Sequence, residues 1–298
     1  MKNNEIKRIL VPVDFTKTSD IAVTQAITLA RLIKADLYLL HVVEYNGYYF
    51  SVVPETQTLL PSLLDLEKAV EKKMEEIRKS IKSKFGIKPL IHVTAGNIYS
   101  EIIDFSKKKK IDLIIMGTHG ASGYKELFVG SNAQRIVTLS TVPVLTMQNK
   151  KSKSEFKNIL IPIDNSLHSR EKVNLAIQIA KLFGAKIHIL GLEVSNDGSG
   201  VREIEVRTAS VEKIITAEKL SYKTTIVSKG NLSKAAMKYA TENKCDLIVI
   251  NTGHESKSSG IFLGTFAQQI VNHSTIPVLS FRHSEGHYDI NTEGFGIG

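Results

Sequence analysis

Ile9-Leu10-Val11-Pro12-Val13-Asp14 returns as Ile159-Leu160-Ile161-Pro162-Ile163-Asp164, an offset of 150 residues. Self-similarity at a fixed spacing marks a duplicated structural unit, so this echo decides the architecture. The same offset relates Ala35-Asp36-Leu37-Tyr38-Leu39-Leu40 to Ala185-Lys186-Ile187-His188-Ile189-Leu190. Further along, Asp112-Leu113-Ile114-Ile115 matches Asp246-Leu247-Ile248-Val249, and Ser140-Thr141-Val142-Pro143-Val144-Leu145 matches Ser274-Thr275-Ile276-Pro277-Val278-Leu279. There the offset has dropped from 150 to 134, which makes the second copy 16 residues shorter between its second and third strands.

Within each copy, short runs rich in Ile, Val and Leu alternate with longer amphipathic stretches, the pattern of a parallel sheet covered on both faces by helices. The first copy reads as strand 8–14, helix 19–33, strand 36–42, helix 62–84, strand 89–94, helix 98–109, strand 112–117, helix 131–139 and strand 142–147. The second copy repeats that order. Ser19 is expected to cap the first helix, whose apolar Val23, Ala26, Ile27, Ala30 and Ile33 share a face, and Gly86 to close the second helix. The fold class is therefore α/β, as two tandem doubly wound, Rossmann-like domains. Composition places the first domain at 1–148, a polar linker at 149–155, the second domain at 156–283 and a tail at 284–298 with no packable pattern.

A chain of 298 residues is long enough for both domains to bury cores of their own. Hydrophobic content of 42% and charged content of 23% exclude the disordered and fibrous classes. The single cysteine, Cys245, rules out an internal disulfide framework, and Met1 to Arg8 leads straight into an apolar strand instead of a cleavable leader. The expected compartment is cytoplasmic. No apolar run approaches the ~18 residues of a membrane span. The net charge of +9 favours anionic partners, although the basic residues are spread over both copies. Their densest run, Lys107 to Lys110, falls at a predicted helix end, where cations complement the helix dipole. Nucleic-acid binding has only this charge behind it, with no recognition motif and no aromatic-basic interleaving, and is not expected.

In open α/β sheets, ligands bind beyond the carboxyl ends of the strands, where strand order reverses. Asp14 follows the first strand. Gly117-Thr118-His119-Gly120 follows the fourth, and nine residues later Gly130-Ser131-Asn132 opens a helix. Glycines at a strand tip let backbone approach a ligand, and a Gly-Ser helix start offers N–H groups and a hydroxyl to an anion. The plainer reading makes the glycines a tight turn and Ser131 an ordinary N-cap.

Val11-Pro12-Val13-Asp14, His41-Val42, the strand Leu113 to Met116 and Gly117-x2-Gly120-x9-Gly130-Ser131 together resemble the universal stress protein family, in a tandem two-domain form. The resemblance implies two five-stranded parallel sheets of order 3-2-1-4-5 and, in the ATP-binding branch, a nucleotide at the tips of strands 1 and 4. By it, Asp14 and the backbone of Val42 hold adenine or ribose, Gly117 and Gly120 flank the inner phosphates, and Gly130, Ser131 and Asn132 take the outer ones. The implied nucleotide-binding set is completed by Pro12, Met116 and His119. ATP, with or without Mg, is the implied cofactor; ATP and AMP both stay open. The family pattern also implies that the two copies pair through their last strands as an intramolecular pseudo-dimer, with further homo-oligomers and a protein partner left open.

Departures from the pattern matter as much. The loop position after Gly120, often cationic in the family, is Ala121, and Lys125 lies five residues beyond Gly120. In the second copy Asp164 survives, but Asn251 and His254 replace the strand-tip glycines, and Gly191-Leu192 stands where His41-Val42 does. That copy is expected not to hold ATP in the family manner. His283-x3-His287 with Glu285 offers no fourth zinc ligand, so no metal site is assigned. Tyr45, Tyr48, Tyr49 and Phe50 cluster in the long connection of the first copy, as a lid, a partner surface or a patch packed on its own domain. The leading function is an adenine-nucleotide-binding stress-response regulator. The alternatives are a slow ATP hydrolase, autophosphorylation at Ser131, or a protein that binds a different ligand. No catalytic residue is assigned, because no Walker lysine and no general base near the expected γ-phosphate are visible.

Overall fold

The structure, a computed structural model, describes residues 6–44, 63–118, 130–148, 155–164, 172–193, 200–228, 230–256 and 260–282. The aromatic group Tyr45 to Phe50, the loop from His119 through Lys125, the linker stretch 149–154 and the segment from His283 onward lie outside these residues. The chain divides into two compact units, Met1–Asn149 and Lys150–Gly298. No described helix is long and apolar enough to cross a membrane.

Unit 1 runs β1 (Arg8–Pro12), α1 (Lys17–Ile33), β2 (Asp36–Glu44), α2 (Leu63–Phe85), β3 (Leu90–Gly96), α3 (Ile98–Lys108), β4 (Leu113–Gly117), α4 (Ser131–Leu139) and β5 (Val144–Met147). Its strands pair in parallel in the order β3-β2-β1-β4-β5. Ile9, Leu10, Val11, Leu39, Ile114 and Ile115 are fully buried, because helices cover both faces of the sheet. That double cover is why these strands read as unbroken apolar runs. Asp112, one of the repeated residues, accepts from the backbone N–H of Lys7 (2.9 Å) and Arg8 (2.8 Å) and so ties the start of β1 to that of β4. Asp246 does the same for Lys157 and Asn158.

The start of α1 differs from the expectation. Thr16, not Ser19, is the N-cap: it is extended (φ −87°, ψ 163°) and its Oγ1 accepts from Ser19 N at 3.3 Å. Ser19 lies inside the first turn, where its Oγ accepts from Asp14 N (3.3 Å). Gly86 closes α2 in the left-handed conformation (φ +73°), its N–H donating to Lys82 O at 3.0 Å. β5 begins at Val144 and not at 142, since Pro143 has no N–H and offers only its carbonyl, to Ile114 N at 2.9 Å.

Unit 2 runs β6 (Asn158–Ile163), α5 (Lys172–Phe183), β7 (Lys186–Leu192), α6 (Val201–Ala217), β8 (Tyr222–Val227), α7 (Leu232–Glu242), β9 (Leu247–Asn251), β10 (Gly253–Ser256), β11 (Gly260–Leu263), α8 (Thr265–His273) and β12 (Val278–Phe281). Its parallel strands lie in the order β8-β7-β6-β9-β12, which counted within the copy is again 3-2-1-4-5. Unit 2 also carries a second, small sheet. Between β9 and α8 the chain forms an antiparallel hairpin, β10 on β11, with Gly253 opposite Leu263 and Ser256 opposite Gly260.

Candidate functional site

In unit 1 strand order reverses between β1 and β4, so the crevice of a doubly wound sheet opens at their carboxyl ends. β1 stops at Pro12, and Val13-Asp14-Phe15 carries the chain into the Thr16 cap. Asp14 Oδ1 accepts from both Thr16 N (3.0 Å) and Thr16 Oγ1 (2.6 Å). Those bonds, both on Oδ1, fix the carboxylate.

Phe15 has φ +63°, a left-handed conformation unusual for a bulky side chain. A stack holds it. Its ring lies 4.7 Å from the ring of His41, and Lys73 Nζ stands 4.0 Å from the Phe15 centroid. His41 Nδ1 is 2.6 Å from Val13 O, and because a carbonyl only accepts, Nδ1 carries the proton. Burial lowers the His41 pKa and outweighs the Val13 carbonyl and the Asp14 charge, both of which raise it.

Packing against α1 also requires that Gly117 have no Cβ. A Cβ there would sit 2.8 Å from Thr18 Cβ and 2.9 Å from its backbone carbonyl carbon, so the first turn of α1 occupies the space of that Cβ, while Gly117 still lines the cleft. Thr118 donates from N to Met147 O (3.2 Å), and its carbonyl accepts from Gly130 N (2.7 Å). That single bond closes the ends of the intervening loop and brings Gly117 and Gly130 to one place.

Gly130 is the N-cap of α4 (φ −58°, ψ 148°) with no side-chain capping bond, and Ser131 is the first helical residue. Ser131 is therefore not the ordinary cap of the plainer reading. The first helical bond runs from Gln134 N to Gly130 O (3.0 Å), so the N–H groups of Ser131, Asn132 and Ala133 have no helical acceptor. With no acidic residue in that turn, the helix end is ready for an anion.

Pro12, Asp14, Val42, Met116, Gly117, Gly130, Ser131 and Asn132 all line one cleft of ≈ 740 Å³, counted to its open mouth. His119 and Gly120 lie outside the described residues. The sequence reading missed Leu40, Ile98 and Ile102, which add an apolar wall, along with Ser19 and Thr118. Ile98 and Ile102 are an i, i+4 apolar pair opening α3; that spacing was readable, but only the packing of α3 shows which crevice it faces.

Unit 2 keeps part of this arrangement. Gly264 caps α8 with φ −57° and ψ 147° and again no side-chain bond, and Thr252 N donates to Phe281 O (2.8 Å) as Thr118 does to Met147. Asn251 ends β9 where Gly117 ends β4, and His254 belongs to the hairpin strand β10. Gly191 takes the place of His41, and α6 closes on it: a Cβ would lie 2.5 Å from Ile204 Cγ2. A separate concavity of ≈ 500 Å³ sits at the opposite, amino ends of β9 and β12, against Met237, Thr241, His273 and Ile276.

Two buried groups lie away from both strand tips. His188 in β7 sits between Tyr239 Oη (3.2 Å from Nδ1) and Asn158 Oδ1 (3.1 Å from Nε2), and burial pushes its pKa down to about 4. Cys245 is buried, which with Asp246 pushes its thiol up to about 12, so it is an inert core thiol. Among the described residues no group of three or more His, Cys, Asp or Glu is placed to hold a metal ion. His283, Glu285 and His287 are outside that set.

Fold and cleft together define a tandem, doubly wound α/β protein with an open cleft at a strand-order switch. The chain belongs to the universal stress protein family, whose model matches residues 5–148 and 155–282. Universal stress protein MJ0531 of Methanocaldococcus jannaschii is 31% identical over 153 residues, covering 50% of this chain and 85% of that one. Universal stress protein MJ0577 of the same organism is 30% identical over 158 residues, covering 49% of this chain and 97% of its own. A crystal structure of a universal stress protein from Archaeoglobus fulgidus superposes with a TM-score of 0.73 over 93% of this chain and 99% of that one, at 22% identity, a likeness of fold.

Proposed function

We propose that unit 1 binds an adenine nucleotide, ATP or AMP, and that the chain works as a nucleotide-responsive stress regulator. The observation that carries this reading is the convergence of Asp14, Val42, Gly117 and the uncapped start of α4 on one cleft. Leu40, Ile98, Ile102 and Met116 supply an apolar wall suited to a base, the fixed Asp14 an acceptor for ribose hydroxyls, and the N–H groups of Ser131 to Ala133 a seat for phosphate. Membership of the family supports the same reading.

Binding fits these residues better than fast turnover. The titratable side chains among the described residues lining the cleft are Asp14, held by Thr16, and His41, whose protonated form burial disfavours. Regulation then requires that the nucleotide favour one state of the protein over another. Unit 2, with Asn251 and His254 at the glycine positions, does not take a nucleotide in this way. Isothermal titration of the full chain with ATP, with and without Mg²⁺, is expected to give one site per chain, and Asp14→Ala to weaken it at least ~10-fold. Two equivalent sites, or no binding at millimolar ATP, would overturn the proposal, and turnover at typical enzyme rates of ~1–10³ s⁻¹ would replace regulation with catalysis.

A further inference from the structure

Arg135 stands four residues after Ser131 in α4, so the two share a helix face one turn apart. Its guanidinium carbon lies 4.8 Å from the centroid of the Tyr99 ring, and Tyr99 adjoins Ile98, a lining residue of the cleft, at the start of α3. Helical side chains lean toward the amino end of their helix. Arg135 thus stands one turn beyond Ser131, Asn132 and Ala133, which line the cleft, while neither Arg135 on Tyr99 nor Tyr99 itself is a lining residue. Arg135 is exposed, the first turn of α4 holds no acid, and among the described residues no carboxylate forms an ion pair with it.

An exposed guanidinium resting on a half-buried aromatic ring is weakly held, whereas its planar fork pairs strongly with phosphate. The contrast with unit 2 is informative. At the 134-residue offset Tyr99 and Arg135 become Ser233 and Gln269, which hydrogen-bond to each other. The copy that carries Asn251 and a hairpin at its strand tip thus also lacks this cation.

We propose that Arg135 determines specificity for the length of the phosphate chain: it leaves Tyr99 and pairs with the outer phosphates of a nucleoside triphosphate seated at the start of α4, contacts that a monophosphate does not reach. This rests on the nucleotide reading of the cleft. The test uses the full chain, titrated calorimetrically with ATP, ADP and AMP, in wild-type, Arg135→Gln and Arg135→Lys forms, with the ligand-free unfolding midpoint of each. Arg135→Gln is expected to weaken ATP about tenfold or more while changing AMP less than about twofold, with the ligand-free midpoint unmoved. Arg135→Lys is expected to recover part of the ATP affinity, because it keeps the charge but not the fork. An unchanged ATP to AMP ratio in Arg135→Gln overturns the proposal, and a lowered midpoint beside that unchanged ratio makes the pair a clasp between α3 and α4. Wild-type protein that binds none of the three nucleotides defeats the reading of the cleft itself, before any variant is compared.

Discussion

At the β7 position that corresponds to Tyr38 of unit 1, His188 places an imidazole between Tyr239 and Asn158. Asn158 Oδ1 only accepts, so Nε2 donates to it and Nδ1 accepts from the Tyr239 hydroxyl, a neutral and fully used ring. Burial, reinforced by Lys186 and Lys223, lowers its pKa from 6.5 to about 4. Because the folded value lies below the unfolded one, the contribution of His188 is whole above pH 6.5 and is eroded as pH falls toward 4, where the unfolded chain takes up the proton first. Urea unfolding should therefore show wild type losing on the order of 1–3 kcal/mol between neutral pH and roughly pH 4.5 from this group. His188→Gln should be weaker at neutral pH and have a shallower slope; an identical slope would remove the histidine from the account. Gly117 yields a second expectation at this scale. Since α1 occupies the space of a Cβ there, Gly117→Ala should destabilise ligand-free protein by about 1–3 kcal/mol in the same assay, and an unchanged midpoint would mean that the helix yields without strain.

Among the elements, α1 links folding to the cleft most directly. Thr16 caps the helix through Ser19 N and, with its own N–H and hydroxyl, holds Asp14 Oδ1. Thr16→Ala is expected to cost about 1–2 kcal/mol of stability and to weaken nucleotide, with Thr16→Ser restoring both. Loss of stability with undiminished binding would show that Asp14 does not depend on its neighbour. The same element marks where sequence reading reached its limit. The strands were legible because cover on both faces leaves continuous apolar runs such as Ile9 to Val11. The expected cap is Ser19, and only the extended backbone at Thr16 shows that the helix begins three residues earlier. The β10–β11 hairpin was not legible, since His254-Glu255-Ser256 is polar and shows no alternation. In the cleft, Asp14 and the glycine-serine helix start announced themselves by residue type, whereas Ile98 and Ile102 look like any amphipathic helix face until α3 is in place.

Across the whole molecule one strand order is used twice, and among the described residues the copies differ at a strand tip, where Gly117 ends β4 and Asn251 ends β9. Shared devices, such as Asp112 and Asp246 or the glycine caps of α4 and α8, maintain the scaffold in both. Amide hydrogen exchange on the full chain should separate ligand binding from scaffold. Saturating ATP is expected to slow exchange at Ser131 to Ala133 by about tenfold or more and to leave Thr265 to Ala267 unchanged; equal protection of both would assign the ligand to both units. The hairpin of unit 2 constrains what substitution there can achieve. Its ladder engages the main-chain groups that follow β9, so changing Asn251 and His254 to glycine would give unit 2 the letters of the motif while the local backbone remained committed to its own partner. Exchanging side chains at this strand tip therefore leaves a small sheet standing, and any remodelling of the second copy's pocket has to melt that sheet first.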